Sequence, residues 1–431
     1  MHDSTGEAAS DNDITRRIFV GGALAAGAGV ALTGLAACAP DTSSAEEEGQ
    51  AVSDAASSGD SLSSASETDG TAQDSGESSI YVVRGTDGTD DGVQRLVGVM
   101  ERNKAFFYQS KENPRGLIAS DDVVLLKVNC QWSERGGTNT DLIEKVALAL
   151  TAHPDGFTGE VIIADNGQAQ FGSKGAGGSL DWGQTNAADL TRSPLDVVNS
   201  LKDRVKISSS LWDEFTMRQV GEFSSGDSDD GFVVEDGPRS TSIVVTHPKF
   251  TTEYGTCISF KEGIWDPATS SYNKDRLKVI NMPVLKVHGG FMVTGAVKNY
   301  MGTTASRLTN QAAHNSIGVG GMGTQLAFTR MPALTIMDMI WVGSRRGPNT
   351  RYEDADANNM IACSTDPVAL DWWCAHNVLI PLVAASGIDT SRLDPDSTEN
   401  GAFGYWLGLS ANELISAGFK ASRGDSVKVF E

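Results

Sequence analysis

The chain has 431 residues, a formal net charge of −22 and 39% hydrophobic residues. That length supports one large domain or two ordinary ones, with enough apolar content to bury a core. An acidic chain without a long basic run excludes nucleic acid as the expected partner.

The chain order begins with an address. "DITRRIFVGGALAAGAGVALTGLAAC" places Arg16 and Arg17 before a Gly/Ala-rich apolar stretch that closes on Leu35-Ala36-Ala37-Cys38. Twin arginines before such a stretch mark the bacterial Tat export route. Leu-Ala-Ala-Cys has the form of a lipoprotein box, in which small residues admit the peptidase and the Cys38 thiol receives lipid. About 20 uncharged residues could instead span a bilayer as an uncleaved helix, but Gly and Ala anchor weakly and the cysteine ends the run. Residues 1–38 are therefore expected to be a signal peptide. The Tat translocon is the expected partner during export, and the lipid bilayer is the expected partner through Cys38. The expected location is the outer face of the bacterial cytoplasmic membrane. Tat carries folded cargo, and a cofactor or metal inserted in the cytoplasm is a common reason to fold first.

Residues 39–79 carry ten acids, no base and no aromatic residue. Such a composition cannot offset the entropy of ordering, so a disordered acidic tether is expected. Residues 80–431 form the body. Cysteines stand at 38, 130, 257, 363 and 374, never as Cys-x-x-Cys. No iron–sulfur cluster or zinc knuckle is indicated. The last four read as small buried residues, with a disulfide left open.

Within the body, apolar runs alternate with helical patterns. "IYVVRG" from Ile80 is a strand, and Val93, Leu96, Val97 and Met100 repeat at helical spacing. "DVVLLKVN" (122–129) and "GEVIIADNG" (159–167) are continuous enough to be buried on both faces. Between them Thr138 and Asp141 suggest a capping box for a helix through Leu142, Val146 and Leu150. "TSIVVTHPK" (241–249), "LKVINMPVLK" (277–286) and "ALTIMDMIWV" (333–342) repeat the strand theme. Asp366-Pro367 reads as an N-cap with proline at the first helical position. The polar stretches 171–190, 222–240 and 343–359 are expected to be long excursions. The expected fold class is α/β, a largely parallel central sheet flanked by helices.

Ligands in such sheets bind beyond the carboxyl ends of the strands. Lys127 and Asn129 end one strand, Asp165 and Asn166 the next, His247 and Lys249 a third, Lys286 and His288 a fourth, and Asp338 a fifth. Lysines there suit a small carboxylate or phosphate. Gly289, Gly290 and Gly295 would let backbone N–H groups approach it. Lys298, on a helix expected to begin near Val293, would add charge. Lys286, His288 and Lys298 are the candidate catalytic residues, and Lys127, Asn129 and Asn299 the candidate ligand-binding residues. Asp165, His288, His314 and Asp338 are candidate ligands for a metal ion. Asp371 and Trp372–Trp373 read as helix packing. Gly-x-Ser-x-Gly, a Walker loop and His-Glu-x-x-His are absent, and "GVGGMG" (318–323) lacks a strand before it.

"VLLKVN" (124–129), "TNTDLIEKV" (138–146), "VIIADNG" (161–167), "INMPVLKVHGGFMVTGAVKNYMG" (280–302), "LTIMDMI" (334–340) and "STDPVALDWWCA" (364–375) occur in the order found in the domain of unknown function 362 family (DUF 362). The resemblance covers about residues 80–380, and its specific part is the Lys-x-His to Lys-Asn block. It implies a shared pocket on Lys127, Asn129, Asp165, Lys286, His288, Thr294, Lys298 and Asn299. It also implies redox company, since many relatives carry a ferredoxin-like module that this chain lacks. Val128 stands where the family usually has proline. "GSRRGP" (343–348) puts Arg345 and Arg346 where the family tends to carry an acid. The expected function is an extracytoplasmic, metal-assisted or redox-linked enzyme acting on a small anion. The alternatives are a non-catalytic anion-binding lipoprotein or an accessory partner of an exported redox complex.

Overall fold

Val123, Val124, Leu125 and Leu126 are all buried, and the period of two along a strand explains how. Val124 and Leu126 face one apolar core, whereas Val123 and Leu125 face another. The next strand repeats the division, with Val161 and Ile163 on the first side and Ile162 and Ala164 on the second. A sheet covered on both faces follows from these continuous apolar runs.

The computed structural model describes residues 77–167, 177–237, 243–309 and 312–431. Arg16, Arg17, Cys38 and the tether up to residue 76 lie outside the described residues. The first strand, expected at Ile80, starts at Ser78.

The large sheet runs Val427–Phe430, Ser78–Arg84, Ala355–Ser364, Leu334–Gly343, Leu277–Asn281, Val123–Lys127, Glu160–Asp165, Lys206–Leu211. From Leu334–Gly343 to Lys206–Leu211 the strands are parallel. Ala355–Ser364 runs antiparallel to both of its neighbours. The sheet is thus mixed around a parallel centre. Gly92–Arg102, Thr140–Thr151 and Pro194–Leu201 cover one face through Leu96, Ile143, Val146 and Val197. The other face meets helices through Leu326, Leu370, Trp373 and Leu407, together with a second sheet.

That second sheet corrects the reading of 241–249. Val244–Thr251 pairs antiparallel with Gly231–Asp236 and with Cys257–Ser259. An apolar run does not reveal whether its partners are parallel, so the sequence alone misplaced this strand. His247 and Lys249 consequently lie inside a strand, away from the edge of the large sheet. His247 Nε2 is 2.9 Å from Glu222 Oε1, and Lys249 Nζ donates to the Asp227 carbonyl at 2.7 Å.

The expected excursions are partly structured. Residues 222–240 supply Gly231–Asp236, and 343–359 supply the start of Ala355–Ser364. The cap of Thr140–Thr151 is Asn139, whose side chain accepts from Leu142 N; Thr138 instead donates to Met282 O. Asp366 caps Pro367–Cys374 as expected, accepting from Val368 N and Ala369 N. Among the described residues one helical run, Pro367–Ala385, is long and apolar enough to cross a membrane. Its Val368, Leu370, Cys374 and Val378 are buried in the core. Cys130, Cys363 and Cys374 are buried free thiols, and Cys257 is partly exposed.

Pro283 divides "LKVINMPVLK" into two strands, Leu277–Asn281 and Val284–His288. Proline has no N–H for a ladder, so the pairing is interrupted there. The chain resumes beside Leu334–Gly343, with Val284 opposite Asp338 and Lys286 opposite Gly343. The long Leu334–Gly343 strand thus carries Lys286 past the carboxyl ends of its parallel neighbours.

Candidate functional site

Two adjacent strands end on opposite charges. Lys127 closes Val123–Lys127 and Asp165 closes Glu160–Asp165. Lys127 Nζ lies 2.7 Å from Asp165 Oδ1, with both side chains buried. The contact is off line for a hydrogen bond, since Oδ1 has no hydrogen-bond donor, and it is the charge attraction at 2.7 Å that joins the pair. Lys127 Nζ also donates to Val128 O at 2.8 Å, while Asp165 Oδ2 accepts from Cys130 N at 2.7 Å. The pair clamps two strand ends together, because a buried charge needs a partner. Gly302 lies against it, and a Cβ there would overlap both Asp165 Oδ1 and Lys127 Nζ.

Lys286 is different. It is fully buried and its Nζ donates to the Gly136 carbonyl, but among the described residues it has no ion-pair partner. Burial first, then the charge of Lys298, pushes its amine down to about 7; Asp165 pulls the other way. Lys298 opens a short 3-10 helix, Lys298–Thr303, and not the longer helix expected from Val293. Its ammonium sits 5.5 Å from the Phe291 ring centroid, within cation–π range. Thr294 is the register partner of Lys286 across the hairpin.

Lys127, Asn129, Asp165, Lys286, Thr294, Lys298 and Asn299 line one opening, with Gln131, Trp132 and Pro348. The free space in the opening is about that of one ordered water. Thr294 Oγ1, Trp132 Nε1 and Asn129 Oδ1 are buried there without hydrogen-bond partners among the described residues. Such orphans in a native fold call for a ligand or an ordered water.

The amides behind the opening form a chain. Asn299 Nδ2 donates to Asn281 Oδ1 at 2.8 Å, and Asn281 Nδ2 donates to Ala296 O at 3.0 Å. Asp371 has a larger part than helix packing. Its carboxylate accepts from Ala296 N at 2.5 Å and Val297 N at 2.9 Å, fixing the backbone just before Lys298. Burial pushes that carboxyl up to about 7. Gly295 is glycine because a Cβ would overlap Asp371 Oδ1.

The structure does not bring the candidate metal ligands together. Among the described residues, no three of Asp165, His288, His314 and Asp338 hold ligand atoms within 4.8 Å of one another. Asp338 lies away from the opening; its carboxylate accepts from Asn139 N, Ile340 N and Asn186 Nδ2, which anchors the start of Thr140–Thr151. Burial raises it to about 6. His288 and His314 flank the Phe291 ring at 5.3 and 6.3 Å between centroids. His288 Nδ1 accepts from both Gly290 N and Phe291 N at 3.1 Å. Its proton therefore sits on Nε2, leaving a donor and no spare lone pair. Burial and then the Lys298 charge push its pKa far down, and the same two causes push His314 down to about 3. A group that does converge is His376, Asp394 and Asp396, on a different part of the surface. There the Asp396 carboxylate already accepts from Trp372 Nε1 and contacts His376 Nε2.

The expected anion approach to Gly289 and Gly290 is not available. Gly289 N donates to Gly347 O, and Gly290 N to His288 Nδ1. The turn where Arg345 and Arg346 replace an acid borders the opening through Pro348. Arg345 itself pairs with Asp356 and donates to Glu353 O, so its charge is turned to that neighbouring strand.

The site is thus a lysine-lined opening at the carboxyl edge of an α/β sheet. Residues 272–376 match the family model described as Domain of unknown function (DUF362). Lys286, His288, Thr294, Lys298, Asn299, His314 and Asp338 fall inside the match, while Lys127, Asn129 and Asp165 fall outside it. No curated protein and no solved structure matches the chain. Trp132, Gln131, Asp371 and Pro348 were missed from sequence. Trp132 and Gln131 carried no signal beyond closeness to Asn129, and Asp371 was hidden by its helical spacing.

Proposed function

We propose that this chain is an exported, lipid-tethered enzyme that binds a small carboxylate or phosphate in the Lys286–Lys298 pocket and transforms it outside the cytoplasm. The observation that carries this reading is Lys286, buried beside Lys298 with no ion-pair partner among the described residues. A lone buried ammonium is costly, and an anion would supply its missing charge. Thr294 Oγ1 and Trp132 Nε1 would donate to the anion's oxygens. His288 is outside the lining of the opening and takes no direct part in holding the anion in this reading. Lys127 and Asp165 would hold the strand ends in place. A metal-assisted or redox-linked step, with an exported redox partner, belongs to the reading through the family resemblance alone. Metal analysis of protein purified without chelator tests that part.

The test of the pocket is a thermal-shift screen with phosphate, acetate and pyruvate on the wild type and on Lys286→Met. A specific anion should raise the wild-type Tm, by mass action, and leave the variant unmoved. No shift with any small anion would overturn the reading. A second reading, a non-catalytic binder, is favoured by the His288 tautomer, which leaves no ready general base on that ring. Turnover of the bound anion separates the two.

A further inference from the structure

The anion reading uses Lys286 only as a charge, yet its surroundings suit a nucleophile better. Its side chain is fully covered, its amine donates to the Gly136 carbonyl, and a second cation stands beside it. Lys127, at the same opening, is paired with Asp165 at 2.7 Å. Two lysines in one opening are thus placed for different tasks. The register partner of Lys286 is Thr294, whose buried hydroxyl has no partner among the described residues, and Trp132 Nε1 is a second such donor lining the opening.

Resting on the anion-pocket reading, we propose that the substrate is a small 2-oxo acid, with its carboxylate on Lys298 and its carbonyl carbon attacked by Lys286 to form an imine. The Lys286 lone pair forms the N–C bond as the carbonyl electrons move to oxygen, which takes a proton. The resulting carbinolamine loses that oxygen as water, the amine gives up its protons, and C=N forms. Amine and carbonyl give imine and water, with no further reactant. Thr294 Oγ1 and Trp132 Nε1 are the donors for the carbonyl oxygen. A cation beside a desolvated lysine keeps part of it as neutral amine, the form that attacks, and this agrees with the low amine pKa set by burial and Lys298. The opening is narrow, so Trp132 or Pro348 must shift to admit the carbonyl.

The experiment is reductive trapping. The full-length chain is incubated with pyruvate and cyanoborohydride, digested and mapped by mass spectrometry, with pyruvate and phosphate binding measured in parallel by calorimetry. A reduced adduct on Lys286 is expected, lost entirely in Lys286→Arg, which keeps the charge; circular dichroism checks that variant's fold. Lys298→Met keeps the amine and should cut labelling at limiting pyruvate by about tenfold or more, the loss of one charged hydrogen bond. Pyruvate binding without an adduct on Lys286 would overturn the imine and leave the anion pocket standing. Failure of both pyruvate and phosphate to bind would overturn both. Full labelling in Lys298→Met would overturn the carboxylate assignment.

Discussion

Lys127 and Lys286 are both fully buried lysines at strand ends, yet their partners give them opposite parts. Lys127 has Asp165 at 2.7 Å. Lys127→Met would strand the carboxylate, a loss of about 3–5 kcal/mol in denaturant unfolding, and adding Asp165→Leu should restore most of it. Lys286 has no such partner, so Lys286→Met should raise the Tm of the ligand-free protein. The sign with pH follows from its amine being pushed down to about 7. Between pH 7 and the ordinary lysine pKa the unfolded chain holds a proton that the folded chain has lost. Stability therefore rises with pH over that window. The advantage of the methionine variant should be largest at or below pH 7 and fade toward pH 10, a comparison of two Tm–pH curves. A gap that did not change with pH would remove the case for a strained lysine. Anion binding should show the mirror effect. It favours the ammonium, so affinity should fall as pH rises through about 7, read by calorimetry in buffers of different ionisation heat.

The segment from Phe291 to Thr303 is held from outside itself. Ala296 and Val297 donate to Asp371 from a helix about 75 residues further on. Asp371→Ala would leave two buried N–H groups unpaired, at about 1–3 kcal/mol each. The expected outcome is faster hydrogen exchange at Ala296 and Val297, and weaker anion binding although no pocket-lining side chain has changed. Unchanged exchange at those two amides would show that the backbone holds itself. Gly302→Ala pushes a methyl into the Lys127–Asp165 pair. An overpacking cost of about 1–3 kcal/mol is expected in chemical denaturation.

Across the whole chain, the proposed export route makes a prediction independent of the pocket. Replacing Arg16 and Arg17 by lysine should keep the protein inside the cell, and Cys38→Ser should leave it exported but in the soluble fraction. Cell fractionation reads both. Membrane retention of the Cys38→Ser protein would overturn the lipid anchor.

Much of the α/β body was legible because its signals are local. The continuous apolar runs at 122–129 and 159–167 require a sheet covered on both faces, and the Asp366-Pro367 cap needs only its own next residues. The strand-end lysines were legible for the same reason, as polar residues where apolar runs stop, whereas Thr294 and the pocket role of Asn299 came through the family resemblance. Other features depend on distant partners. Whether Val244–Thr251 joined the large sheet was a matter of hydrogen-bond partners, and an apolar run carries no record of them. Lys127 and Lys286 look alike in sequence, and only the fold gave one a carboxylate and the other a second lysine. Asp338 was expected to end its strand as Asp165 does, but it lies in the middle of Leu334–Gly343 and faces the backbone of Asn139, not the opening. The sequence by itself determined the residue types and the sheet edge at which they fall. The tertiary structure decided which charges are paired, because pairing depends on which strand ends the sheet sets side by side, as with Lys127 and Asp165, and on how much water burial leaves between them.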